Sequence, residues 1–421
     1  MQETDSFSIT PLSIPTDSSL NNELSSLKRY LKSESARLKN CHREGVAGSE
    51  ICKNRSQILD TLLRAIFEWT LNTFEPQKKE RNIRISLVAV GGYGRTELNP
   101  HSDIDIMLLH NGSASNQTRI FKHGLLEKFT GPGGLIYTLY DLGMKVGHSA
   151  RNIQDAINVA NDDMQTKTSL IEARLICGDE NLFQQLQLQI ESKCVRGNIN
   201  SYLQLRIKDQ DARRIKFGNS ALLQAPNIKN GCGGLRDYQN LLWMSHFKYG
   251  TRNLEELQTQ EMMRQNNRLQ LEEGYDFLLR VRNELHYQTK RPSDDLPKAL
   301  QPKVAWQLGY KDRSPARRLE AFMRDLYIHM RRIHLITRMV ERRLALKPKP
   351  IRSITSLRTI FGGMKENEKL DGFIIVNGEL VPSSNRIFKD KPKRLMKVFL
   401  YAQLRGLEFH PDLIQLLRDN V

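Results

Sequence analysis

A chain of 421 residues is too long for one hydrophobic core and is expected to divide into two or three domains. Apolar residues make up 39% and charged residues 26%, the balance of an ordinary folded protein rather than a disordered or fibrous one. The polar, acidic opening MQETDSFSIT does not read as a secretory leader, and no apolar run approaches the roughly 18 residues of a membrane span. The five scattered cysteines match neither a disulfide framework nor a zinc spacing, so reduced thiols in a cytoplasm are expected. The net charge is +17, and residues 311–352 hold thirteen Lys or Arg against four Asp or Glu. Such a stretch serves either as an acidic-partner surface or as the solvated face of a helix.

In chain order, residues 1–25 are rich in Ser, Thr, Asn and Pro and predict a disordered tip. Residues 26–80 read as a helical segment, with Ile58, Leu59, Leu62, Leu63, Ile66 and Phe67 on one face and a break at Pro76. At Asn82 the character changes. RISLVAVGG predicts a buried strand ending in glycines, DIDIMLLH a second strand from Asp103, and LIYTLYDLGMKV a third from Leu135. Residues 81–180 therefore form one unit of strands and helices. Residues 181–350 read as helical, with long amphipathic helices at about 262–286 and 316–346, each followed by proline. Residues 351–421 mix short strand signals (FIIVNGELV) with a last amphipathic stretch, RLMKVFLYAQL.

The chemistry concentrates in VAVGGYGRTELNPHSDIDIMLLH, residues 88–110. Alternate side chains of a strand share a face, so Asp103 and Asp105 project together while Ile104 and Ile106 face the core. Two carboxylates so placed hold Mg²⁺ or Mn²⁺, with substrate phosphates completing the coordination. Gly91, Gly92 and Gly94, lacking Cβ atoms, let backbone N–H groups approach phosphate oxygens, and Arg95 stands as a cationic clamp. Asp-x-Asp alone, or a Gly-Gly turn alone, is commonly structural; the two together, about ten residues apart, point to nucleotidyl transfer. GGYGRTEL satisfies neither the P-loop nor the dinucleotide pattern.

GGYGRTELNPHSDIDIMLL resembles the signature of bacterial PII-protein uridylyltransferases, within the polymerase-β-like nucleotidyltransferase superfamily. The resemblance continues through YDLGMKVGHSARN, IEARLICGD, PNIKNGCGGLRDYQNLLWM, FLLRVRNELHYQTKRPSDDLPKALQPKVAWQLGY and EAFMRDLYIHMRRI, covering about residues 87–339. It implies an α+β fold: a nucleotidyltransferase domain with a small mixed sheet, followed by a mainly α-helical domain. It further implies transfer of UMP from UTP to a tyrosine hydroxyl of PII, a nitrogen-signalling protein. Gly91 and Gly92 map to the phosphate turn, Ser102 to a nucleotide contact, Asp103 and Asp105 to the metal pair, and Asp141 to a third carboxylate on the following strand, with Glu172 as the alternative. His148 and His286 read as structural. Arg236 and Asp237 are expected to brace the domain interface or touch nucleotide. The family usually has a small residue where Thr96 stands and Pro where Cys232 stands.

Full-size members continue into an HD phosphohydrolase domain and two ACT domains. This sequence reaches Val421 about where the first would begin and contains no His-Asp doublet, so UMP removal and glutamine sensing are not expected of it. The alternatives to a PII uridylyltransferase are an RNA-acting CCA-adding or poly(A)-type enzyme and a non-catalytic remnant that binds a partner. Neither a membrane nor nucleic acid is the expected partner. The sequence itself names neither the nucleotide nor the acceptor.

Overall fold

The computed structural model describes residues 7–74, 83–112, 124–345, 369–376 and 378–420. The basic break at 76–80 and the segment 346–368 lie outside these, as do residues 1–6. Two antiparallel helices come first, α1 (Leu20–Glu44) and α2 (Gly48–Asn72). Ser19 caps α1 by accepting from Asn22 N–H, and Gly45 ends it in the left-handed region at φ 98°.

The predicted tip is ordered from residue 7. Phe7, Ile9, Leu12 and Ile14 pack on the core, Trp69 Nε1 donates to Ser18 O, and Arg37 reaches Ser8 O. Its apolar side chains alternate with polar ones, and this alternation gives the segment a buried face.

The strands β1 (Ile85–Ala89), β2 (Ile104–His110), β3 (Val146–Arg151) and β4 (Arg174–Gly178) form one sheet in the order β3-β2-β1-β4. Only the β2–β3 pair is parallel. Alternation sorts the strand side chains into two cores. Ile85, Leu87, Ala89, Ile104, Ile106 and Leu108 meet α1 and α2, whereas Val88, Met107 and Leu109 meet helices between residues 153 and 195.

The third strand lies later than the sequence suggested. Residues 135–141 are a helix, α3 (Leu135–Asp141), whose Leu135, Ile136 and Leu139 are buried, and the strand begins only at Val146. Tertiary packing overrides the strand propensity of LIYTLY.

The helical region contains α4 (Leu235–Tyr249), α5 (Gln265–Thr289) and α6 (Pro315–Ala345), which share one core. In α6, Phe322, Leu326, Met330, Ile333 and Ile336 are buried. Arg317, Arg324, Arg331 and Arg338 are exposed at seven-residue spacing. The predicted basic helix is thus amphipathic, with its cations outward. Near the C-terminus the strand pair 373–376 and 379–382 belongs to a second small sheet beside a helix at 394–405.

Candidate active site

β1 ends at Ala89, and the chain turns at Gly91, whose φ of 57° suits glycine, into a single helical turn over Gly91–Gly94. That turn has no room for side chains at its end: a Cβ on Gly94 would lie 2.2 Å from Glu172 O. Gly94 is therefore a packing glycine. Gly91 and Gly92 open onto a cavity of about 440 Å³, as do Ser102, Asp103 and Asp105.

Asp103 and Asp105 are exposed to this cleft while Ile104 and Ile106 are buried, the alternation expected of the strand. Val90 N–H donates to Asp105 O, which fixes the glycine turn against the carboxylate strand. The Asp105 carboxyl is pushed above its ordinary range, first by the cleft walls and then by the neighbouring Asp103, with Lys229 opposing both. Gly147, its partner on β3, leaves the space that the carboxylate fills. A carboxylate pair with room for phosphate oxygens and water fits a hexacoordinate Mg²⁺ or Mn²⁺ ion. Among the described residues no group of three or more His, Cys, Asp or Glu converges as a metal site.

Two further expectations, beyond the role of Gly94, need correction. Asp141 is not on a strand beside the pair. It is the last residue of α3, exposed, and does not line the cavity. The strand that does flank Asp105 reads VGHSAR and carries no acid. Arg95 lines the cavity but is bound to protein carboxylates, to Glu97 at 2.8 Å and to Glu172 at 2.6 Å. It is an organiser of the wall rather than a free clamp. Glu172, the alternative third acid, is 2% exposed and is also the acceptor for Trp243 Nε1–H.

The opposite wall comes from the helical region and was largely missed. Lys229, Arg236, Trp243, Arg282 and Asp294 all line the cavity. Arg282 donates to Asp294 at 2.7 Å. The guanidinium carbons of Arg206, Arg236 and Arg95 lie 4.4, 5.2 and 5.8 Å from the Trp243 ring centroid, a cation–π cluster. Burial, then Arg95 and Arg206, lower Arg236 to about 10, and burial, then Arg282, lowers Lys229 to about 8. Asp237, by contrast, is fully buried against Arg213, Arg214 and His334 and braces the helical core. His286 is also buried, accepting from His101 N–H, whereas His148 is exposed on β3. The sequence signals for this wall were the blocks PNIKNGCGGLRDYQNLLWM and FLLRVRNELHYQTKRPSDDLPKALQPKVAWQLGY, which together hold all five residues.

Sequence comparison accords with this geometry. The model of the GlnD PII-uridylyltransferase family matches residues 201–341, and that of glutamate-ammonia ligase adenylyltransferase matches residues 12–123. A bifunctional uridylyltransferase/uridylyl-removing enzyme of Rhodospirillum rubrum is 30% identical over 378 residues, 89% of this chain and 39% of that protein. Its counterpart in Phenylobacterium zucineum is 31% identical over 371 residues, 87% of this chain and 38% of that protein. Over most of its length the chain is similar to GlnD-type uridylyltransferases. It spans about two fifths of the length of these relatives. The GlnD match falls on the cation-bearing wall, while the glycine turn and the carboxylate pair fall in a segment that an adenylyltransferase family also matches. The carboxylate half of the cleft is therefore common to enzymes named for different nucleotides.

Proposed function

We propose that this chain transfers UMP from UTP to a tyrosine hydroxyl of a PII-type regulatory protein, with Mg²⁺ or Mn²⁺ at Asp103 and Asp105. The observation that carries the reading is the carboxylate pair facing one cavity with Gly91 and Gly92, opposite a wall that belongs to a GlnD-type domain. In this reading the tyrosine oxygen bonds to the α-phosphorus of UTP as the bond to the bridging oxygen breaks, so that pyrophosphate leaves and the hydroxyl proton passes to solvent. Asp103 and Asp105 would hold the cation, which when bound would supply charge neutralisation at the α-phosphate and acidify the attacking hydroxyl. Asp103 and Asp105 hold that charge at one end of the cleft. The small Gly91 and Gly92 admit phosphate oxygens close to the backbone. Arg95, fixed between Glu97 and Glu172, holds that part of the wall in place.

The test is incubation of the chain with Mg²⁺, a PII-type protein and each of the four α-³²P-labelled nucleoside triphosphates. Label is expected on the acceptor with UTP and at a tyrosine. Labelling of the acceptor by none of the four would overturn the proposal, and labelling by another nucleotide would replace UTP in it.

A further inference from the structure

The positive charges of the cleft divide into two kinds. Arg95 is matched by Glu97 and Glu172, and Arg282 by Asp294. Arg236 has no such partner: among the described residues its side chain makes no ion pair and donates no hydrogen bond. The guanidinium groups of Arg95 and Arg206 gather with it around Trp243 and disfavour its charge, with Glu172 opposing them. Lys229 comes no closer than 4.0 Å to a carboxylate, that of Asp294. Cations held together around one ring, with Arg236 unpaired among them, repel one another, and an arriving anion relieves that repulsion.

The two side chains are held for that purpose by one turn. Arg236 N–H donates to Lys229 O at 2.9 Å and Leu235 N–H to Ile228 O at 3.0 Å. Asn227 Oδ1 accepts from the amides of Lys229 and Asn230. Gly233, at φ 72°, packs so tightly that a Cβ there would overlap Met330 O. The leading amides of α4 are already used: Gly234, Leu235, Arg236 and Asp237 all donate to carbonyls of the same turn. The backbone therefore offers an anion little, and recognition falls to the side chains.

We infer that Arg236 and Lys229 form a polyphosphate subsite, gripping the leaving part of a nucleoside triphosphate from the wall opposite Asp103 and Asp105. The assignment rests on the nucleotidyl-transfer reading for its ligand class, but the subsite is a binding device and is testable without turnover. The ligand it fits carries several phosphate charges. The Arg236 guanidinium spans two phosphate oxygens and the Lys229 ammonium meets a third. The nucleotide then bridges the two halves of the chain, and pyrophosphate remains held at the moment it separates.

Equilibrium dialysis with Mg²⁺ and no acceptor protein tests this, using UTP, UMP and inorganic tripolyphosphate as probes. The wild-type chain is compared with Arg236→Gln, Lys229→Gln and Arg236→Lys, each checked by circular dichroism for a wild-type spectrum. Each Gln variant is expected to weaken UTP and tripolyphosphate roughly 10- to 100-fold, to leave UMP within about two-fold, and Arg236→Lys to fall between. Equal weakening of UMP and UTP, or tripolyphosphate binding that ignores both substitutions, would overturn the subsite. If UTP binds unchanged in the Gln variants while the wild type still labels an acceptor, the subsite fails and the proposed activity stands. If binding depends on both residues but no acceptor is labelled, the subsite stands and the activity fails.

Discussion

Gly147 on β3 lies directly across from Asp105 on β2, and a Cβ at position 147 would sit 2.4 Å from Asp105 Oδ1. The absent side chain is what permits the carboxylate its orientation into the cleft. Gly147→Ala must push Asp105 aside while leaving an exposed edge strand otherwise intact. Turnover is expected to fall at least about 10-fold, since an ångström of misplacement can cost about 100-fold. The thermal midpoint should barely move. A wild-type rate in Gly147→Ala would show that the Asp105 position is not needed.

Asp103→Asn and Asp105→Asn each keep the shape of the side chain and remove a negative ligand. Both residues face the cleft, so folding should persist. Nucleotidyl transfer should fall by roughly two or more orders of magnitude, the scale of losing preorganised charge stabilisation. Rates with Mg²⁺ and Mn²⁺, read beside a denaturation curve, check this, and near-normal transfer by both variants would remove the pair from the mechanism.

Thr96 adopts φ 62° immediately after the glycine turn, a conformation costly for a β-branched residue. Strain of about 1–3 kcal/mol set against a glycine entropy cost of about 0.5–1 kcal/mol leaves a net gain for Thr96→Gly on the order of 1 kcal/mol. The urea midpoint should rise accordingly. A lower midpoint would mean that the Thr96 hydroxyl, which donates to Arg95 O, matters more than the strain.

His334 lies 3.7 Å from the buried Asp237 carboxylate, which raises the imidazolium to about 9, with Cys232 adding to the effect and burial opposing it. A folded-state value above the unfolded one, near 6.5, places the stabilisation at low pH. It is complete below about 6.5 and lost as pH rises through about 9, amounting to about 3 kcal/mol at most. The stability difference between wild type and His334→Asn should therefore shrink from pH 6 to pH 9.5. A difference that is flat across this range would show that His334 is neutral.

The exposed arginines of α6 stand at 317, 324, 331 and 338, opposite a buried apolar face. Binding of RNA there is expected to be weak and indifferent to sequence, with a log–log salt slope of about −0.7 per neutralised phosphate. No nucleotide should be added to an RNA 3′ end. Tight tRNA binding near physiological salt, together with 3′ extension, would favour an RNA-acting enzyme instead.

The carboxylate half of the cleft was legible because its signals are local. A period of two separates Asp103 and Asp105 from Ile104 and Ile106, and glycine marks the turn. Asp141 was misplaced because LIYTLY carries strand-forming residues, while the true strand VGHSAR lies at an edge with little apolar pattern to announce it. Arg95 looked free because its partners include Glu172, far along the chain. Lys229 gains meaning, and Arg236 its place in the cleft rather than a bracing role, only from a cavity whose other wall is built more than a hundred residues earlier. Long-range pairing leaves no periodic trace.

Helix α2 precedes the sheet in sequence yet fastens both halves of the molecule. Its first amides, Gly48 and Ser49, donate to the Asp276 carboxylate on α5, and a Cβ on Gly48 would collide with the Arg280 backbone. Further along, Asp60 accepts from Tyr93 and Arg174, and Arg64 reaches Ile176 O beneath the sheet. The boundary between the carboxylate-bearing sheet unit and the helical region is thus no seam at which the chain can be cut. A fragment of residues 83–180 would lack the helix covering one face of its sheet, and the helical region alone would lose the brace on α5. A chimera that grafts a foreign nucleotidyl-transfer unit onto this helical region must therefore carry residues 20–72 along with the graft.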